Sequence, residues 1–126
     1  MKASYDTSLL PPAPFLPVQL TSLVDHSESV TVQAKLDTGA DLTAIPTTVI
    51  ERLRLMPAGE IEVEDYDSRR ATSRAYDVNL QVDQLNVNGL LVIGFAEDHV
   101  LLGRDVLNRL RILLDGPALT TEILTP

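Results

Sequence analysis

The residues best suited to chemistry lie together in Leu36-Asp37-Thr38-Gly39-Ala40-Asp41. A carboxylate at the end of an apolar run, followed at once by a hydroxyl and a glycine, can activate water in a corner that other backbone approaches closely. Hydrolysing an amide with neither a metal nor a covalent nucleophile needs two carboxyl groups. One takes a proton from water, and the other, protonated, polarises the carbonyl. Two carboxyls about 3 Å apart cannot both ionise, so they share a proton and divide the roles. Asp-Thr-Gly occurs once in the chain. A dyad therefore requires a second copy, with a two-fold axis passing between the two Asp37 side chains. Thr38 offers a hydroxyl to lock the loop from behind, and Gly39 leaves room for substrate backbone.

The flanking sequence predicts elements that would hold this loop. Val30, Val32, Ala34 and Leu36 alternate with Thr31, Gln33 and Lys35, a half-buried strand aimed at Asp37. Leu16, Val18 and Leu20 mark a strand within Phe15–Val24, and the polar stretch Asp25–Ser29 makes the two a hairpin. An apolar run from Leu42 to Ile45 follows the Gly39-Ala40 corner. Pro46-Thr47 then opens a short helix with Val49, Ile50 and Leu53 on one face, ending between Leu55 and Pro57. Ile61 and Val63 alternate with Glu60, Glu62 and Glu64. Asp67-Ser68-Arg69-Arg70 reads as a hairpin tip, and Tyr76, Val78, Leu80 and Val82 as one face of the returning strand.

Asn88-Gly89 predicts a tight hairpin between Leu85–Val87 and Leu90–Phe95, because type I′ turns need positive φ at both central residues. Val100-Leu101-Leu102 leads into Gly103-Arg104-Asp105 and a short helix carrying Val106, Leu107 and Leu110, with Asp105 favourably placed near its N-terminus. Strands over Ile112–Leu114 and Leu119–Leu124 close the chain. The expectation is a mainly β domain over residues 15–126, with seven or eight strands and two short helices. Pro11, Pro12 and Pro14 make residues 1–14 an extended proline-rich arm.

Bulk properties narrow the function classes. A chain of 126 residues holds one domain, and 44% apolar content suffices for a modest core that dimerisation would help. A net charge of −8, with Arg69, Arg70 and Arg74 as the only basic cluster, argues against nucleic acid as a partner. Cysteine is absent, which excludes disulfides and thiolate metal sites. The acidic stretch Glu60–Asp67 lacks the central glycine and distal glutamate of a calcium loop, so neither metal nor cofactor is expected. No stretch reaches the ~20 apolar residues of a membrane span. The first residues lack the layout of a secretory signal, and a cytoplasmic location is expected. His26 and His99 read as loop residues.

Two segments together carry a family resemblance. Leu36-Asp37-Thr38-Gly39-Ala40-Asp41 resembles the active-site loop of the retropepsin family of aspartic peptidases. Well downstream, Leu101-Leu102-Gly103-Arg104-Asp105-Val106-Leu107 resembles that family's second signature. The resemblance spans residues 15–115, and Asp115-Gly116-Pro117 is similar to the stand-alone members found in bacteria. It implies a closed, barrel-like β fold, a homodimer, and an aspartic endopeptidase acting on a peptide or protein substrate with apolar residues flanking the scissile bond. It implies Asp37 as the catalytic carboxylate, Thr38 as the grip between chains, and Gly39 as an acceptor for substrate backbone. Asp41 and Arg104 would brace the loop, Leu42, Ala44 and Leu102 would line subsites, and hairpin 61–82 would be the flap. Tyr66, near the flap, is similar to the flap tyrosine of pepsin-like enzymes.

The flap departs from the family pattern. Its tip has no glycine and instead offers Ser68, Arg69 and Arg70 as substrate contacts, with Arg69 or Arg70 expected to reach an acidic group or to pair across the dimer. Ala40 departs from pepsin-like loops, where a serine hydroxyl favours the ionised carboxylate. An optimum in mildly acidic to near-neutral conditions is expected. The alternative function is a catalytically silent, dimeric peptide-binding module of the same fold. A peptidase that cleaves only its own arm is a third possibility.

Overall fold

The structure, a computed structural model, describes residues 1–64 and 67–125. In chain order the elements are β1 (Lys2–Ser4), β2 (Phe15–Thr21), β3 (Ser29–Leu36), β4 (Ala44–Pro46), α1 (Thr47–Leu53), β5 (Pro57–Glu64), β6 (Arg70–Val82), β7 (Leu85–Phe95), β8 (Val100–Leu102), α2 (Arg104–Leu107), β9 (Arg111–Asp115) and β10 (Thr120–Leu124). Strands β2, β3, β8, β4, β7 and β6 pair in that order, and β6 pairs again with β2 through Leu20 and Leu80. The six therefore form a closed barrel with no free edge along the ring. β5 lies outside the ring and, among the described residues, pairs only with β6.

Period-two alternation fills the interior. Leu16, Val18 and Leu20 of β2, Val78, Leu80 and Val82 of β6, and Val92 of β7 are at most 1% exposed, and Leu102 and Val106 are fully buried with them. α1 closes one side of the barrel by burying Val49, Ile50 and Leu53. It stops where Arg54 turns left-handed at φ 52°, letting the Arg54 and Leu55 N–H groups reach the Glu51 and Ile50 carbonyls.

A second, three-stranded sheet orders β1, β10 and β9. Lys2–Ser4 of the proline-rich arm thus adds a strand to the end of the same chain, with Lys2 opposite Glu122. The Ile123 N–H donates to the Met1 carbonyl at 2.8 Å, and the terminal ammonium lies 3.6 Å from Asp83.

Asn88-Gly89 does not form the expected hairpin. Leu85–Phe95 is one strand, and the β6–β7 turn falls at Asp83-Gln84, where Asp83 takes φ 52°. Val78 pairs with Leu90 and Leu80 with Val87, so Asn88 and Gly89 together face Asn79 as a β-bulge. Gly89 uses its positive φ of 69° there, and its N–H donates to Asn79 Oδ1 at 2.9 Å. At the flap, Arg70 already opens β6 opposite Glu64 rather than sitting in the tip. Tyr66 lies outside the described residues. No helix among the described residues is long and apolar enough to cross a membrane.

Candidate active site

β3 and β8 run parallel, with Leu36 beside Leu102, and the ladder ends as the Asp37 N–H donates to the Leu102 carbonyl at 3.0 Å. The chain then turns, since the Ala40 N–H donates to the Asp37 carbonyl at 3.2 Å. Inside the turn the Gly39 N–H donates to Asp37 Oδ1 at 2.8 Å, orienting a half-buried carboxylate. A β-carbon on Gly39 would lie 3.1 Å from that same oxygen, so the close approach favours glycine.

The segment after β8 clamps this loop. The Arg104 N–H donates to the Ala40 carbonyl at 2.9 Å, and its guanidinium donates from Nη1 to the Thr38 carbonyl at 2.7 Å while Nη2 pairs with Asp41 Oδ1. Arg104 and Asp41 are 43% and 82% exposed, so the ion pair itself adds little stability; the guanidinium matters as a splint across both ends of the loop.

A second tie was not foreseen. Thr43 is fully buried; its N–H and Oγ1 donate to Asp105, and its Oγ1 accepts from the Gly103 N–H at 3.1 Å. The sequence signal was a lone hydroxyl residue inside the apolar run Leu42–Ile45. Asp105, read only as a favourable charge at a helix start, spends its carboxylate on Thr43 instead; the helix it opens is a single turn.

A groove of about 810 Å³ lies above the loop. Asp37, Gly39, Ala40 and Asp41 line it, with Leu42, Ala44, Ile93 and Leu101 as apolar walls and Glu62, Val63, Glu64 and Arg70 on the flap side. Three expected contacts change. Leu102 is fully buried in the barrel, because alternation along β8 turns it inward and leaves its neighbour Leu101 at the groove. Ser68 and Arg69 are not among the described residues lining the groove, whereas Arg70 is. Arg70 Nη1 lies 4.0 Å from Glu62 Oε1, so its charge is already partly answered by its own hairpin. Thr38 is exposed beneath the loop and contributes its carbonyl to Arg104.

His99 is a loop residue with a packing role: its ring meets the Phe15 and Phe95 rings edge-on at 5.7 Å each, and Nδ1 lies 3.3 Å from Asp98. Glu97, Asp98 and His99 bring three possible metal-binding groups together, but none of them lines the groove.

The model of the family described as "gag-polyprotein putative aspartyl protease" matches residues 26–109. Among solved structures, the retropepsin-like aspartic protease from Rickettsia conorii superposes with a TM-score of 0.63 at 13% identity, covering 98% of this chain and 88% of that one. The EIAV protease in complex with the inhibitor HBY-793 gives 0.57 at 20% identity, over 77% and 86%. The foamy viral protease-reverse transcriptase gives 0.61 at 19% identity over 79% of this chain, which spans only 12% of that longer protein. The superpositions show a shared retropepsin fold, and at these identities they show the fold alone. No curated protein matches the sequence.

Proposed function

Because this chain belongs to the gag-polyprotein aspartyl protease family, through a match running over both the Asp37 loop and the Arg104 clamp, we propose that it is an aspartic endopeptidase completed by a second copy of itself. The observation that carries the proposal is the Asp37 carboxylate, fixed by the Gly39 N–H in the lining of an open groove, with one such loop per chain.

In the dimer, one Asp37 carboxylate takes a proton from the water held between the two. The water oxygen adds to the scissile carbonyl while the other, protonated, Asp37 donates to the carbonyl oxygen. Collapse of the tetrahedral diol breaks the C–N bond, and a carboxyl proton goes to the departing amine. Two carboxyl groups sharing one proton, with one water, suffice, and no covalent intermediate forms. Leu42, Ala44, Ile93 and Leu101 support a preference for apolar side chains flanking the cleaved bond. The β5–β6 hairpin is the element to close over the peptide and exclude water. Arg104 keeps Thr38 and Asp41 in place and so fixes where the two loops meet.

The test combines peptide-library cleavage with mass in solution. Wild type should cleave as a dimer, and Asp37→Asn should lose at least ~10³-fold in kcat/KM while remaining folded. Cleavage that survives the substitution, or that comes from a strict monomer, would sink the assignment. Tight peptide binding with no cleavage by either protein would favour a silent binding module.

A further inference from the structure

Resting on the peptidase reading of the groove, we infer that its substrates carry Lys or Arg beyond the apolar residues at the scissile bond, and that Glu64 selects them. The groove defines the site; the acidic residues set its charge. Four carboxylates line it (Asp37, Asp41, Glu62 and Glu64) against one guanidinium, that of Arg70. Asp41 is answered by Arg104. Arg70 sits opposite Glu64 in the β5–β6 register, yet its Nη1 is 4.0 Å from Glu62. Of the flap residues that line the groove, one arginine thus faces two glutamates, and among the described residues no ion pair reaches Glu64.

The surroundings act in the same direction, since the whole chain carries −8 and draws cationic peptides toward it. An acidic peptide would meet like charge on the groove walls, opposite to what arginines at the hairpin tip suggest from sequence. The two-fold axis would repeat Glu64 on the far side of the scissile bond, so the preference applies to both flanks. Glu62 is 63% exposed, so each added contact at this rim is modest and strongly screened by salt.

Three peptides sharing one apolar cleavage site, flanked on both sides by Lys, Gln or Glu, test this with the wild-type dimer. The Lys peptide should exceed the Gln peptide by about tenfold in kcat/KM, with the Glu peptide lowest, and the ratio should shrink several-fold between about 50 mM and 500 mM salt. Glu64→Gln should reduce the Lys-to-Gln ratio about threefold, and Arg70→Gln should raise it. Equal cleavage of all three, a preference for Glu, or a ratio unmoved by Glu64→Gln would overturn the inference. If no peptide is cleaved, the peptidase reading fails separately. Fluorescence anisotropy of the labelled peptides on Asp37→Asn then decides the charge question, with tighter binding of the Lys peptide expected and equal affinities overturning it.

Discussion

Thr43 and Asp105, 62 residues apart in the chain, are joined by two hydrogen bonds: Oγ1 to Oδ1 at 2.7 Å and the Thr43 N–H to Oδ2 at 3.0 Å. The hydroxyl also accepts from the Gly103 N–H, so one buried atom ties the loop after Asp37 to the segment after β8. Thr43→Val keeps the shape and strands both partners. It should cost about 2 kcal/mol, because a buried N–H and a carboxylate oxygen each lose their bond. Thr43→Ser keeps both bonds and loses one methyl, about 0.8 kcal/mol. Urea unfolding of the two variants separates them, and equal losses would show that the hydroxyl contributes nothing beyond volume.

Gly103→Ala should be the most damaging glycine substitution near the site. A β-carbon there would lie 2.7 Å from the backbone carbon and oxygen of Leu42 and 3.1 Å from the Ala40 carbonyl oxygen, all in the segment that follows Asp37. Backbone cannot rotate aside, so stability should fall by about 1–3 kcal/mol, with loss of cleavage as the loop shifts. Gly94→Ala is the control. Its β-carbon meets Ile50 Cδ1 at 2.7 Å and Thr47 Cγ2 at 3.1 Å, side-chain ends that can move. Matching losses in urea unfolding and in peptide cleavage for the two variants would contradict this account.

What could be read beforehand followed from local pattern. Alternation in Leu16–Leu20 and Val30–Leu36 placed Asp37 at a strand end. Pro46-Thr47 with Val49, Ile50 and Leu53 placed the start and buried face of α1, which stops at Leu53, short of the expected end between Leu55 and Pro57. Features that depend on distant partners stayed hidden. Asn88-Gly89 favours positive φ equally in a turn and in a bulge; Asn79, across the sheet, accepts the Gly89 N–H and accompanies the bulge. Thr43 looked like an ordinary strand residue because Asp105 is remote in sequence. The motif around Leu102 implies a place in the groove, whereas the parity of β8 relative to β3 sends it inward. The pairing of β1 with β10 joins the two ends of the chain, a contact no local pattern announces.

The bulge makes its own prediction. Gly89 holds φ 69°, and nothing lies within 4 Å of a β-carbon added there, so Gly89→Ala tests backbone strain alone. The cost should be about 1–2 kcal/mol. At Gly116 a β-carbon also meets nothing within 4 Å, and φ is outside the left-handed region. Gly116→Ala should therefore be neutral or stabilise by up to ~1 kcal/mol, through the entropy of the unfolded chain. Thermal unfolding of both variants checks the contrast, and a loss at Gly116 equal to that at Gly89 would refute it.

Two surface loops should respond to acid in the same way. Ser27 donates to Asp25 Oδ1 from its hydroxyl at 2.6 Å and its N–H at 3.1 Å, and Ser8 does the same to Asp6 at 2.6 and 2.9 Å. The side-chain bond first and the backbone bond second hold both carboxyls below the ordinary 3.8. A group with a lowered folded-state pKa binds its proton more readily when unfolded. The stabilisation is therefore complete above 3.8 and is lost as pH falls through the lowered value. Amide shifts of Ser8 and Ser27 should titrate with midpoints below 3.8, and Asp25→Asn should abolish the transition at Ser27 alone. Both loops keep their bonds in mildly acidic buffer, so loss of activity there would have to arise elsewhere. Midpoints at or above 3.8 would show that the serine bonds do not favour the carboxylates.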